Sequence, residues 1–94
     1  MRVKWLRAAL ADLSEHFEYI AQDNPAAAFK AVLRIRRTVD LLATHAGIGR
    51  PGRVPRTREL VITGTPYIAP YRVVSGQVEV LRVFHAARRW PTEL

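Results

Sequence analysis

The sequence contains no cysteine, a single methionine and no long apolar run. The absence of cysteine excludes disulfides, Cys-ligated zinc, iron–sulfur clusters and thiol nucleophiles. A membrane-spanning helix needs about 18 or more consecutive apolar residues. The first residues, MRVKW, mix charged and apolar side chains and do not begin the apolar segment of a signal peptide. We therefore expect a cytoplasmic protein that is not bound to a membrane and has no metal or cofactor.

Acidic residues are scarce, and this scarcity is the strongest compositional signal. Eight Asp+Glu stand against fifteen Lys+Arg, which gives a formal net charge of +7, and thirteen of the fifteen are arginine. Guanidinium groups bind carboxylates and phosphates with two parallel hydrogen bonds, so the composition indicates an anionic partner, either an acidic protein or a nucleic acid. Most of this charge, eight Arg against three Glu, lies in residues 47–94.

The chain length predicts one domain comprising residues 1–94, because independently folding units typically contain about 100–200 residues. The hydrophobic share of 49% and the charged share of 24% are typical of globular proteins. A chain this short buries only about 60–65% of its unfolded surface. A tightly bound partner would therefore add to its stability.

The first half of the sequence predicts two antiparallel helices. Apolar residues recur with spacings of four and three at positions 6, 10, 13, 17 and 20, and again at 28, 32, 35, 39 and 42. Between them, Asn24 is placed to cap the second helix and Pro25 to occupy its first position. Gly47 is expected to end that helix. The cations Lys30, Arg34 and Arg37 lie off the apolar stripe, which makes the outer face basic.

The second half predicts a three-stranded antiparallel meander. β-Branched and aromatic residues dominate positions 60–62, 67–74 and 78–84, and short turns at 64–66 and 75–76 separate them. Pro70 cannot donate to a ladder, so we expect a bulge or an edge position there. Residues 1–5 are assigned to a short fourth strand. The predicted fold class is α+β, with a helical hairpin packed on a small antiparallel sheet.

Two groups of residues have a spacing of chemical interest. Asp12 and His16 lie four positions apart on the first helix; we interpret them as a solvated pair and not as metal ligands. His85 follows the last strand, close to Arg88, Arg89 and Trp90. A histidine beside guanidinium groups suits a metal-free ribonuclease, and the simpler interpretation is a histidine at a strand end before an exposed basic tail.

The segments RELVI (58–62), YIAPYRV (67–73) and VEVLRVFHAARRW (78–90) together resemble the RelE/ParE superfamily of toxins from type II toxin–antitoxin systems. The helix over residues 5–20, the DNP break at 23–25 and the GRPG loop at 49–52 are similar to the ParE branch. This resemblance implies a β-α-α-β-β-β fold, growth arrest as the outcome, and a cognate acidic ParD-like antitoxin as a partner.

The resemblance also implies a target and a set of site residues. The ParE branch implies inhibition of DNA gyrase by binding, with no active site and no cofactor. Two alternatives stay open: a RelE-like, metal-independent endonuclease that cleaves mRNA on the ribosome, and a basic nucleic-acid-binding module. For a nuclease the candidate residues are Arg82, His85, Arg88 and Arg89. For target or antitoxin contact they are Arg50, Arg53, Arg56, Arg58, His85, Arg88, Arg89 and Trp90.

Overall fold

The computed structural model describes residues 1–94 as two helices packed on a six-stranded mixed sheet. The elements in chain order are β1 Arg2–Trp5, α1 Arg7–Ala21, α2 Pro25–Asp40, β2 Arg50–Pro51, β3 Arg58–Val61, β4 Tyr67–Val74, β5 Gln77–Val80 and β6 Phe84–His85. The sheet order is β1-β5-β4-β3-β2, and β6 pairs with the start of β4. The predicted α+β class and the short N-terminal strand are confirmed. Neither helix combines the length and the apolar character that a membrane span requires.

The sequence predicted an antiparallel sheet, but one pair of strands in the structure is parallel. β1 lies at one edge and runs parallel to β5, with Arg2 opposite Gln77 and Trp5 opposite Val80. The chain passes through both helices and three further strands before it reaches β5, and a long connection of this kind permits parallel pairing. The meander β3-β4-β5 is antiparallel as expected.

The predicted start of α2 is confirmed, whereas the end of α2 and the buried face of α1 differ from the prediction. The Asn24 side chain accepts a hydrogen bond from the Ala27 N–H at 3.1 Å, and Pro25 opens α2, so the predicted cap is confirmed. α2 ends at Asp40 and not near Gly47, because a 3-10 turn, Leu41–Ala43, tightens the chain and keeps Leu42 in the core. Leu10, which was expected in the buried stripe of α1, is 49% exposed.

The core lies between the two helices and the inner face of the sheet, and Tyr71 on the central strand is its largest fully buried side chain. The Tyr71 hydroxyl donates to the Ala46 carbonyl at 2.7 Å and accepts from the Gly49 N–H at 2.9 Å. A Cβ on Gly49 would lie 2.5 Å from Cε1 of the Tyr71 ring, so this position requires glycine. The core tyrosine thus fixes the start of the arginine-rich segment 49–58, which we call the basic loop.

The predicted last strand over residues 78–84 is interrupted. β5 ends at Val80, β6 begins at Phe84, and residues 81–83 lie opposite only two residues of β4, Ala69 and Pro70. This is a bulge, in which one strand carries an extra residue. The Leu81 N–H donates to the Pro70 carbonyl at 2.9 Å, and the hydrogen bond that Pro70 cannot make falls within the bulge. The bulge expected at Pro70 is present, on the neighbouring strand.

Asp12 and His16 of α1 hold this bulge, and the interpretation of the two as a solvated pair is wrong. The Asp12 carboxylate is buried and accepts from the Val83 N–H at 3.0 Å. It also accepts from the Arg82 guanidinium at 2.7 Å and 2.9 Å, and this hydrogen bond raises the pKa of Arg82. One turn later, His16 Nε2 lies 2.8 Å from the Val83 carbonyl oxygen and donates to it. The two side chains therefore satisfy both backbone groups of Val83.

Asp12→Ala is expected to lower the free energy of unfolding by about 2–4 kcal/mol, because it leaves the Arg82 guanidinium and the Val83 N–H without their acceptor. The figure is below the range for a fully buried ion pair because the Arg82 side chain is 27% exposed. Urea unfolding monitored by circular dichroism measures the change. Glu15→Ala, at an exposed position on the same helix, is the control and should change stability by no more than about 0.5 kcal/mol. Equal losses in the two variants would contradict the assignment.

Candidate functional site

The basic loop is organised around the buried carboxylate of Glu59 in β3. Glu59 is 3% exposed and accepts from Arg50 Nε at 3.1 Å and from the Arg53 N–H at 2.9 Å. The Arg53 guanidinium lies 3.6 Å from the same carboxylate. A buried charge needs such partners, so two arginines predicted to contact a target also support the fold. Both side chains remain about half exposed, which leaves part of each accessible.

The remaining two loop arginines differ from each other. Arg58 donates from Nη1 to the Gly49 carbonyl at 2.8 Å and holds the start of the loop. Arg56 lies exposed near the loop tip, with a φ of 64° and no hydrogen bond or ion pair to the rest of the chain. The loop closes around it through hydrogen bonds from the Thr57 N–H to the Val54 carbonyl and from the Gly52 N–H to the Thr57 carbonyl.

The C-terminal segment contacts this loop through Trp90. The Arg53 guanidinium lies 3.7 Å from the centre of the Trp90 ring. The Phe84 ring also contacts the Trp90 ring, at 4.9 Å between centroids. The indole N–H donates to the His85 carbonyl at 3.2 Å. The loop and the C-terminal segment therefore form one continuous surface. Arg82, a candidate only for the nuclease alternative, has its guanidinium bound by Asp12.

The four residues considered for a nuclease have different contacts. Arg82 is bound by Asp12, whereas His85 lies against Tyr67 with a centroid distance of 5.7 Å. The Arg88 guanidinium lies 5.7 Å from the Tyr19 ring, and Arg89 is exposed. His85 Nδ1 accepts from the Ala87 N–H at 3.1 Å, so its proton is on Nε2.

Tyr67 is the group around which the histidines assemble. Its ring lies 4.5 Å from that of His16 and is 5% exposed. Burial raises the pKa of the Tyr67 phenol, and the nearby Arg88 charge opposes that rise. The phenol is therefore neutral at physiological pH. The chain holds no cluster of three or more His, Asp or Glu residues able to bind a metal.

A groove between α2 and the β3–β4 turn was not predicted as a site. It encloses about 950 Å³ and combines an apolar floor, which includes Ile20 and Leu41, with the cations Lys30, Arg34 and Arg37. No Asp or Glu lines the groove, and none of its three cations forms an ion pair. From their spacing of four and then three along α2, the sequence predicted a basic outer face but no groove.

Comparisons with known proteins cover almost the whole chain. Residues 3–90 match the family described as the ParE toxin of the type II toxin–antitoxin system parDE. The chain is 48% identical over 93 residues to a Sinorhizobium fredii protein named as a candidate toxin, Y4kP, covering 99% of this chain and 96% of that one. It is 40% identical over 87 residues to toxin RelE2 of Caulobacter vibrioides, covering 93% and 97%.

A solved structure is also similar. The chromosomal ParDE TA system from P. aeruginosa contains a chain that superposes with a TM-score of 0.82 at 36% sequence identity. The alignment covers 90% of this chain and 95% of that one. The likeness therefore extends over most of both chains.

Trp90→Ala is expected to loosen the basic loop, because it removes the ring on which Arg53 stacks. A cation–π contact at an exposed site contributes about 0.5–1 kcal/mol, so amide exchange in residues 50–58 should become about twofold to fivefold faster. Hydrogen–deuterium exchange with mass spectrometry measures the rates. Trp90→Phe keeps a ring and should show a smaller change, and unchanged exchange in Trp90→Ala would mean that the loop is held independently of the C-terminal segment.

Proposed function

Because the chain belongs to the ParE toxin family of type II toxin–antitoxin systems, we propose that it inhibits DNA gyrase by binding to it and is neutralised by a cognate acidic antitoxin. The protein is a toxin, and its family implies an antitoxin partner. Gyrase acts in the cytoplasm, which is the compartment we propose for this protein. The proposal adds two parts to the family assignment: the target of the toxin and the surface that the antitoxin contacts.

The observation that carries the proposal is the division of the arginines between structural and free ones. Arg82 supports the bulge and Arg50 supports Glu59, so neither guanidinium is free to act on a bound phosphodiester. The exposed Arg88 and Arg89 lie on the C-terminal segment, beside the Trp90 contact to the basic loop. A continuous surface of exposed cations and an aromatic ring is suited to binding a large partner.

We assign the gyrase contact to this surface, made of Arg50, Arg53, Arg56, Arg58, His85, Arg88, Arg89 and Trp90. The antitoxin contact is assigned to the groove along α2. Its apolar floor and unpaired cations complement a segment that carries acidic and apolar side chains. Such a segment folds on binding, and its charges neutralise Lys30, Arg34 and Arg37.

A RelE-like mRNA endonuclease is the second candidate, and the name of the Caulobacter vibrioides relative favours it. In that case His85 with its Nε2 proton would act near Arg88 and Arg89. The two candidates differ in one respect that a single variant tests. His85→Ala should abolish cleavage by a nuclease, whereas a gyrase inhibitor should lose only the contribution of one residue of its assigned contact surface.

A supercoiling assay with purified gyrase tests the target. The wild-type protein is expected to inhibit supercoiling at micromolar concentration, and the double variant Arg88→Glu with Arg89→Glu should need at least about tenfold more protein, because rim charge reversal weakens complementary association. The matched control reverses Arg7 and Arg36, which are exposed on the two helices. The gyrase proposal fails if the wild-type protein leaves supercoiling intact and instead cleaves mRNA on translating ribosomes.

Titration with the cognate antitoxin tests the groove. Reversing two of its cations, Arg34→Glu with Arg37→Glu, is expected to weaken the complex by about a hundredfold, because like charges then face the acidic segment. Isothermal titration calorimetry measures the affinity, and Arg36→Glu, outside the groove on the same helix, is the control. If the control weakens binding as much as the double variant does, the antitoxin binds another surface.

A further inference from the structure

A second recess lies at the free end of β4, on the side where no strand accompanies it. β3 begins at Arg58, opposite Tyr71, so Arg72 and the residues after it extend beyond the β3 ladder. The recess encloses about 320 Å³ and is bounded by the tip of the basic loop. A volume of this size is at the lower end of the range for small-ligand sites, about 300–1,000 Å³.

The main chain of β4 contributes a donor to this recess. Alternate residues of an antiparallel strand direct their N–H and C=O groups to opposite neighbours. The Pro70 carbonyl bonds to Leu81 on the β5 side, so the alternation directs the Val73 groups to the opposite side, where the recess lies. The Val73 N–H therefore faces the recess without a strand partner.

Three arginines, Arg56, Arg58 and Arg72, are among the residues that line the same recess, and no acidic residue lines it. Arg58 uses Nη1 for the Gly49 carbonyl, and Arg72 uses Nε for Glu79 at 2.8 Å. Each keeps further N–H groups, since a guanidinium has five donors. With the Glu79 charge subtracted, the local excess is two positive charges.

The backbone at Arg56 supports a binding role for this place. A non-glycine residue at a φ of 64° is in the left-handed region, which costs about 1–2 kcal/mol. The turn formed by Val54 and Thr57 holds Arg56 in this conformation at the mouth of the recess. Residues held in such conformations are concentrated at ligand-binding positions.

We propose that this recess binds a phosphate group that carries two negative charges, such as the terminal phosphate of a nucleotide or of a nucleic-acid end. A phosphate monoester carries about −1.5 to −2 charges at neutral pH, which matches the local excess. A carboxylate or an internal phosphodiester supplies only one. The Arg56 and Arg58 guanidinium groups and a main-chain N–H also match the several acceptor oxygens of a phosphate, whereas the Arg72 guanidinium is directed to Glu79 on β5.

Isothermal titration calorimetry with inorganic phosphate, at ionic strength held constant with sodium chloride, tests the site on the whole protein. Wild-type protein should bind phosphate measurably, and Arg56→Gln should weaken binding at least tenfold. Arg56→Gly also removes the charge but relieves the backbone strain, so it should weaken binding equally. Arg36→Gln, outside the recess, should bind as the wild type does. Binding no tighter than that of chloride, or equal weakening by Arg36→Gln, overturns the proposal.

Two further arms identify the source and the charge state of the ligand. A nucleoside 5′-monophosphate and a 5′-phosphorylated oligonucleotide are each compared with their unphosphorylated forms, and whichever gains more affinity from its phosphate is the better ligand. Inorganic phosphate loses its second charge near pH 7 and a phosphate monoester near pH 6, whereas sulfate keeps both charges. Phosphate binding should therefore fall severalfold from pH 7.5 to pH 5 while sulfate binding stays constant. An equal fall for sulfate would mean that a protein group titrates, and would contradict the charge match. None of these readouts requires gyrase or an antitoxin.

Discussion

The fold depends on one contact, in which the Asp12 carboxylate of α1 accepts the Val83 N–H of the sheet bulge. The extra residue of the bulge would leave backbone groups unpaired in the protein interior, and an unpaired buried group costs about 1–3 kcal/mol. Asp12 and His16 remove that cost by binding the two sides of Val83, 71 and 67 positions away along the chain. The bulge in turn permits Pro70 in the central strand and directs β6 back onto β4. The C-terminal segment with Trp90 follows from that placement.

The same contact explains why a net charge of +7 does not translate directly into a basic binding surface. Some arginines neutralise carboxylates that the fold buries, as Arg82 does for Asp12 and Arg50 for Glu59. The groups left for partners are the guanidinium groups without internal acceptors and the accessible N–H groups of those that have one, such as Arg53 and Arg58. They lie in three places: the groove along α2, the tip of the basic loop and the C-terminal segment. A charge count identifies an anionic partner, whereas the hydrogen bonds of each guanidinium decide where that partner binds.

Local sequence signals predicted what local physics determines. The Asn24 cap, the Pro25 start of α2 and the meander all follow from residues close in sequence or from strand register. The parallel pairing of β1, the bulge at residues 81–83 and the role of Asp12 arise from contacts between distant segments. Asp12 lies off the predicted apolar stripe of α1, so it was interpreted as solvated. Its acceptor role depends on a bulge 71 positions away along the chain. Glu59 binds Arg50 on the neighbouring strand β2 and the Arg53 N–H in the loop.

Amide hydrogen exchange of Val83, followed by nuclear magnetic resonance, tests the central claim most directly. If the Asp12 carboxylate and His16 hold the bulge as part of the core, the Val83 N–H opens only when the whole protein unfolds. Its exchange should then be as slow as that of the fully buried Val80 on β5, and Asp12→Asn should accelerate it more than it accelerates Val80. Exchange of Val83 in the wild-type protein at the rate of an exposed loop amide would contradict the account.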